Sequence, residues 1–214
     1  MMKRVDWMTG ILFLVLGMTS AGCIRTSPVS PVPAVSSQPV PEFRNDLSRP
    51  PEPDGSLLQF KQGVRFLENG KNEEARLLFE RLRDSYPKTG ILYVNLGVTY
   101  KRLGLLSEAI ASYQRALEID RSDAEVYYNL AIALREEGEF RKAEAAYKTA
   151  LIISPDFTDA HYNLAVLYDL YLNDPGEAIR HYQRFLELGG GDSKEIQIWI
   201  SALQKRIDES RRAP

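Results

Sequence analysis

Few side chains in this 214-residue sequence have the type and spacing to do chemistry. Cys23 is the only cysteine, so it has no disulfide partner in the chain and no cysteine metal cluster can form. His161 and His181 are the only histidines. They could approach one another, but no third ligand accompanies them, so packing or surface roles are expected. The run Gly189-Gly190-Gly191-Asp192-Ser193-Lys194 joins glycines to a lysine, but its spacing is not that of a phosphate-cradling loop. It also follows a helical pattern where such a loop needs a strand. The many Asp and Glu residues alternate with Lys and Arg and read as solvated helix faces. No catalytic residue, metal site, cofactor or small-molecule substrate is expected, and the chain does not read as an enzyme. One further set stands out: Asn95, Asn129 and Asn163, spaced 34 residues apart. A primary amide donates and accepts at once, so a row of them can read a peptide backbone without regard to its side chains.

The elements that would position these amides repeat with them. Tyr93-Val94-Asn95-Leu96-Gly97-Val98-Thr99-Tyr100 returns as Tyr127-Tyr128-Asn129-Leu130-Ala131-Ile132-Ala133-Leu134 and as His161-Tyr162-Asn163-Leu164-Ala165-Val166-Leu167-Tyr168. A second block, Glu108-Ala109-Ile110-Ala111-Ser112-Tyr113, returns as Lys142-Ala143-Glu144-Ala145-Ala146-Tyr147 and, one residue late, as Glu177-Ala178-Ile179-Arg180-His181-Tyr182. The extra residue falls near Leu172-Asn173-Asp174-Pro175 and is expected to lengthen the turn between two helices. Gly63, Phe66, Ala75, Phe79 and Pro87 fit the same template upstream. Small residues (Gly63, Gly97, Ala131, Ala165) belong where two helices cross closely, glycines (Gly70, Gly104, Gly138) end first helices, and Pro87 and Pro155 stop second helices.

A 34-residue period with these residues resembles the tetratricopeptide (TPR) repeat, which pairs two antiparallel helices per unit. The resemblance implies an all-α, right-handed solenoid of about four helix pairs over residues 56–188, divided as 56–89, 90–123, 124–157 and 158–188. Residues 189–214 form a capping helix and tail: the glycine run breaks the pattern, Asp192 and Glu195 offer a capping box, and Ile196, Trp199, Ile200, Leu203 and Ile207 share one helical face. In such stacks the first helix of each pair lines the concave side. The expected partner-binding groove is therefore Phe60, Val94, Asn95, Val98, Tyr128, Asn129, Ile132, Tyr162, Asn163 and Val166. Chaperone-binding TPR proteins grip a C-terminal carboxylate with Lys, Asn and Arg; the matching positions here are Phe60, Val64, Asn95, Glu125 and Asn129, and only one agrees. Glu125 and Asp159 disfavour an acidic tail, and an amphipathic helix or extended apolar segment suits the face better.

Ahead of the repeats lie two further parts. Lys3 and Arg4 precede an uncharged, mostly apolar span from Trp7 to Gly22, and Thr19-Ser20-Ala21-Gly22 are small. That order is the plan of a secretory signal peptide, residues 1–22, and the span is short for a bilayer crossing. Ser20-Ala21-Gly22-Cys23 resembles the bacterial lipobox, although that family usually has Leu where Ser20 stands. The resemblance implies lipid attachment at Cys23 and, with Ile24 next to it, the outer membrane facing the periplasm. Residues 23–55 hold eight of the twelve prolines and no apolar period, so they read as an extended linker. The formal net charge of −2 argues against a nucleic-acid partner. The layout of leader, linker and repeats is similar to pilotin-type TPR lipoproteins. It implies a membrane-anchored scaffold that binds envelope proteins or peptides during assembly of a pilus, secretion system or similar complex. The alternatives are a permanent subunit of a polysaccharide-export or motility complex, and a recruiter of a peptidoglycan hydrolase or protease.

Overall fold

A computed structural model of the chain describes residues 55–191 and 193–212. The leader, Cys23, nearly all of the linker and Asp192 of the expected capping box lie outside the described residues. Those described form helices α1 (Ser56–Glu68), α2 (Asn72–Ser85), α3 (Gly90–Arg102), α4 (Leu106–Ile119), α5 (Ala124–Glu136), α6 (Phe140–Ile153), α7 (Thr158–Leu167), α8 (Pro175–Glu187) and α9 (Ser193–Arg212), with a π turn over Tyr168–Leu172. No strand occurs among the described residues. Successive helices pack in sequence order as an all-α solenoid of four pairs closed by α9.

Close approach within a pair depends on a missing side chain. A Cβ on Gly97 would lie 2.5 Å from the Tyr113 ring, and one on Gly63 would lie 2.7 Å from Phe79. Both rings are fully buried, and together with Tyr147, Tyr168 and Tyr182 they form the spine of one continuous core. The turns within the first three pairs close the same way. Gly70, Gly104 and Gly138 take positive φ (71°, 75° and 87°), and the following amide bonds back to a carbonyl five residues earlier, as Glu139 N does to Leu134 O at 2.8 Å. Gly189-Gly190 ends α8 identically, with Gly190 N donating to Phe185 O at 2.9 Å, so the glycine run is a helix stop.

The fourth pair departs from expectation. Its extra residue does not lengthen the turn. It widens the last turn of the first helix into the π segment, and only Asn173 and Asp174 separate that segment from α8. The cause is stereochemical. The residue ending the helix must take a left-handed conformation, which glycine accepts and Leu172 resists, whereas asparagine tolerates it. Asn173 adopts φ 52°, the only positive φ outside glycine among the described residues. The helix therefore runs one residue further, and its closing bond, Asp174 N to Tyr168 O at 2.9 Å, spans one residue more than the others.

The cap helix packs as its pattern requires. Ile196, Trp199 and Leu203 are buried, and Trp199 lies against Tyr182 and Tyr162 at 5.7 and 6.4 Å between ring centres. Arg206 reaches Asp169 of the π turn at 3.3 Å and fixes the far end of α9. Asp169 is buried, which raises its pKa against the pull of that guanidinium.

Candidate protein-binding face and rim pocket

The ten side chains expected to line the groove all sit on first helices, and the packing draws them inward. Phe60, Val94, Asn95, Val98, Tyr128, Asn129, Ile132, Tyr162, Asn163 and Val166 are each at most 8% exposed. The aromatics explain this. Tyr128 packs on Phe157 at 4.8 Å and on Tyr147 at 6.0 Å, and Tyr162 packs on Phe185 at 5.1 Å, so these rings fill the seams between neighbouring helices. The side chains expected to line an open groove are thus buried against neighbouring helices.

The asparagines brace that packing. Asn95 Nδ2 donates to Ile91 O at 2.9 Å and Asn163 Nδ2 to Asp159 O at 2.9 Å, each tying its side chain to the preceding turn. Asn163 Nδ2 also reaches the Tyr128 hydroxyl at 3.0 Å, which links α7 to α5. The amide oxygens of Asn95 and Asn129 are buried without a hydrogen-bond partner. An unsatisfied buried acceptor costs about 1–3 kcal/mol. These two oxygens are the part of the ladder that the fold itself does not use.

Accessible chemistry lies at the rim. Turns of a few residues make successive helices antiparallel, so α1, α3, α5 and α7 all begin at one edge of the solenoid. Between the starts of α5 and α7 a cavity of about 500 Å³ opens, lined by Asp123, Glu125, Ile153, Asp156, Phe157 and Asp159 among others. Asp123 Oδ1 caps α5 by accepting from the Glu125 and Val126 amides at 3.0 and 3.4 Å. Asp156 pairs with Arg184 at 2.6 Å. Glu125, Asp156 and Asp159 are exposed, and Ile153 and Phe157 supply an apolar floor. Three exposed carboxylates over an apolar floor, one of them, Asp156, already paired with Arg184, suit a cationic group carried on an apolar or extended segment. Glu125 and Asp159 were legible beforehand as acidic flanks; the pocket was not, because it is built by two loops 34 residues apart.

The histidines meet as their spacing allowed. His161 Nδ1 lies 2.9 Å from His181 Nδ1, and His161 Nε2 lies 3.0 Å from Pro155 O. A carbonyl only accepts, so Nε2 of His161 carries its proton, and its Nδ1 accepts from the Nδ1–H of His181. His181 is half-buried and stacks on Tyr168 at 5.9 Å. Burial first, then His161, Arg180 and Lys148, hold its pKa down at about 4. Among the described residues no group of three or more His, Cys, Asp or Glu is placed to hold a metal ion. The pair is a packing element between α7 and α8.

The repeats define the class. Models of the tetratricopeptide repeat match residues 58–89, 124–157 and 160–195, and a TPR repeat model matches 97–134. The chain is a tetratricopeptide-repeat protein, and its fold is that of a protein–protein interaction scaffold. Among solved structures it is similar to a MamA protein, at 24% identity over 69% of this chain and 80% of that one, with a TM-score of 0.64. It is similar also to residues 41 to the end of MamA from Desulfovibrio magneticus RS-1, at 18% identity over 61% of this chain and 73% of that one, TM-score 0.59. A third is YrrB, a TPR protein with an unusual peptide-binding site, at 20% identity over 71% and 75%, TM-score 0.59. Likenesses at this identity establish the fold. Comparison with curated proteins returns no match.

Proposed function

We propose that this protein is a membrane-anchored docking factor of a bacterial envelope, which holds a basic, partly apolar segment of a partner protein at the rim of its repeat stack during assembly of a larger complex. The observation that carries the binding half is the open pocket in which exposed Glu125, Asp156 and Asp159 stand over Ile153 and Phe157. Peptide binding by YrrB, which shares the fold, supports the same reading. The buried first-helix face carries two amide oxygens without a hydrogen-bond partner, those of Asn95 and Asn129. The anchoring half rests on the lipobox-like Ser20-Ala21-Gly22-Cys23, with Ile24 favouring the outer membrane, and on the proline-rich residues 23–55 as the tether. A single acyl chain gives only marginal binding to a bilayer, whereas the two or three that the lipoprotein resemblance implies make attachment durable. Pilus or secretion-system assembly of the pilotin kind is the setting that this layout suits.

One experiment tests both halves. The full chain, its Cys23→Ser variant and its Glu125→Lys/Asp159→Lys variant are produced in cells fed an alkyne-labelled fatty acid, and partners are crosslinked before membrane fractionation. The native chain should carry label and float with membranes, Cys23→Ser should lose the label, and the lysine pair should keep the label but lose the crosslinked partner. Labelling that survives Cys23→Ser refutes the anchor; an unchanged crosslink pattern in the lysine pair refutes the rim.

A further inference from the structure

One position near the end of each first helix recurs with the repeat: Leu67, Lys101, Arg135 and Asp169. Its charged members have partners at two of the three seams. Lys101 Nζ meets Glu136 Oε1, on the following first helix, at 3.2 Å. Asp169 Oδ1 meets Arg206, on the cap, at 3.3 Å. The residue 34 on from Glu136 is Leu170, which packs half-buried against the core. The seam between α5 and α7 therefore offers Arg135 an apolar side chain where the seam before it has an acid. Arg135 enters no ion pair among the described residues, and its Nε is buried without a hydrogen-bond partner.

The surroundings of this guanidinium are aromatic and polar. Tyr147, on α6, also has its hydroxyl buried without a partner; burial raises its pKa, and the charge of Arg135 is the largest opposing cause. Burial raises the pKa of Tyr128 and Tyr162 too, with Asp159 adding to the first and Glu195 to the second, and Arg135 lowers both. The side chain as a whole is half-buried, so it is neither sealed in the core nor fully hydrated. A guanidinium in this position, without an acceptor for its Nε, costs the fold stability. With Lys101 and Arg206 neutralised by their own acids, the position leaves one unmatched positive charge. A single charge suits a carboxylate better than a doubly charged phosphate, and the planar fork of arginine takes a carboxylate through two parallel hydrogen bonds.

From this mismatch we infer that Arg135 is the docking point for an Asp or Glu side chain carried on an extended segment of the partner protein. The inference rests on the proposed binding role of the rim for the course of that segment, and it adds a second, oppositely charged contact. Glu125 lies at the start of α5 and Arg135 near its end, ten residues apart, which is about 15 Å along the helix. An extended segment covers about 3.3 Å per residue, so an acid four or five positions from the basic residue at the rim arrives at Arg135. The partner's segment is thus defined by two charges of opposite sign at a fixed spacing, with apolar residues between them.

The test uses the full chain in mild detergent and its Arg135→Met variant, which keeps an apolar stem and removes the charge. The probes are fluorescein-labelled, end-blocked peptides: Lys-Val-Ser-Val-Ser-Glu, the same peptide ending in Gln, and the same peptide ending in phosphoserine. The native chain should bind the Glu peptide about ten-fold more tightly than the Gln peptide. The variant should bind both at the level of the Gln peptide and should melt no lower than the native chain. Equal binding of the Glu and Gln peptides by the native chain overturns the site at Arg135 and leaves the rim standing. A preference for Glu that persists in Arg135→Met overturns it also, by assigning the carboxylate to another cation. Tighter binding of the phosphoserine peptide than of the Glu peptide overturns the carboxylate as the ligand. A variant that melts well below the native chain and loses all three peptides overturns the docking role and makes Arg135 a brace of the fold. No binding of any peptide to either chain overturns the rim reading together with this inference.

Discussion

Acidification should weaken this protein through one side chain before its carboxylates titrate. His181 is held at a pKa of about 4 against 6.5 for a free imidazole, with burial the largest cause and His161, Arg180 and Lys148 adding to it. The folded chain thus binds this proton less readily than the unfolded chain. The contribution to stability is fully present above pH 6.5 and is lost as the pH falls from 6.5 towards 4. In a sealed site that gap would be worth about 3 kcal/mol. The ring is only half-buried, and solvent on its open side screens the interaction to about 1.5–2 kcal/mol. The added proton goes to Nε2 of His181, so the bond between the two Nδ1 atoms survives and the loss is one of desolvation and like charge. Urea unfolding of the full chain and of His181→Gln, measured every half pH unit from 7.5 to 3.5, isolates the effect. The two stability curves should converge by about 1.5–2 kcal/mol between pH 6.5 and 4. Curves that stay parallel to within about 0.5 kcal/mol across that window would refute the reasoning.

Four other outcomes follow from the structure. Replacing Gly97 by Val puts a branched side chain 2.5 Å from the buried Tyr113 ring, an overpacking cost of about 2–3 kcal/mol that should lower Tm by about 5–10 °C in a thermal melt. Ala131→Gly, at the equivalent place in the next pair, should cost only about 1 kcal/mol. Glu144→Gln should flatten the fall in stability as the pH drops from 4.5 towards 2. Although burial opposes ionisation of Glu144, hydrogen bonds from Lys148, Tyr168 and Arg141 hold its pKa at about 2, so the charged form stabilises the fold above 4.5 and that support goes as the pH approaches 2. Trp199→Ala should cost about 3–4 kcal/mol, local to the cap, and bare the end of the stack; sedimentation velocity should then show concentration-dependent association.

What the sequence made legible was whatever recurs. Asn95, Asn129 and Asn163 fix the period, and with it the crossing at Gly97, the stops at Gly70, Gly104 and Gly138, and the burial of Tyr113, Tyr147 and Tyr182. All of these are local consequences of helical geometry repeated in register. Exposure was not legible. A position on the first helix is shared by every repeat, but whether Tyr128 points to solvent or into a seam depends on Phe157 and Tyr147, which reach it from two other elements. The rim pocket was hidden for the same reason, since Asp123 and Glu125 meet Asp156 and Asp159 only when two successive repeats are stacked.

The extra residue of the fourth pair shows how one break in the period can serve the end of the stack. Up to Leu167 the first helix keeps the register of its predecessors, with Tyr162, Asn163 and Val166 in the places of Tyr128, Asn129 and Ile132. Tyr168 still reaches back to the previous pair, donating to Glu144 at 2.8 Å as Tyr100 donates to Glu80 at 2.7 Å two pairs earlier. Beyond that point the π turn breaks the register, and the next residue is an acid where the second pair has Lys101 and the third Arg135. Lys101 meets Glu136 on the following first helix at 3.2 Å. Asp169 instead meets Arg206 on the cap. The polarity of the contact between neighbouring helices is reversed at the final seam, so α9 is matched by charge to the last repeat and mismatched to the internal ones. A cap that fits only one seam ends the stack there, and that is what a solenoid of fixed length requires.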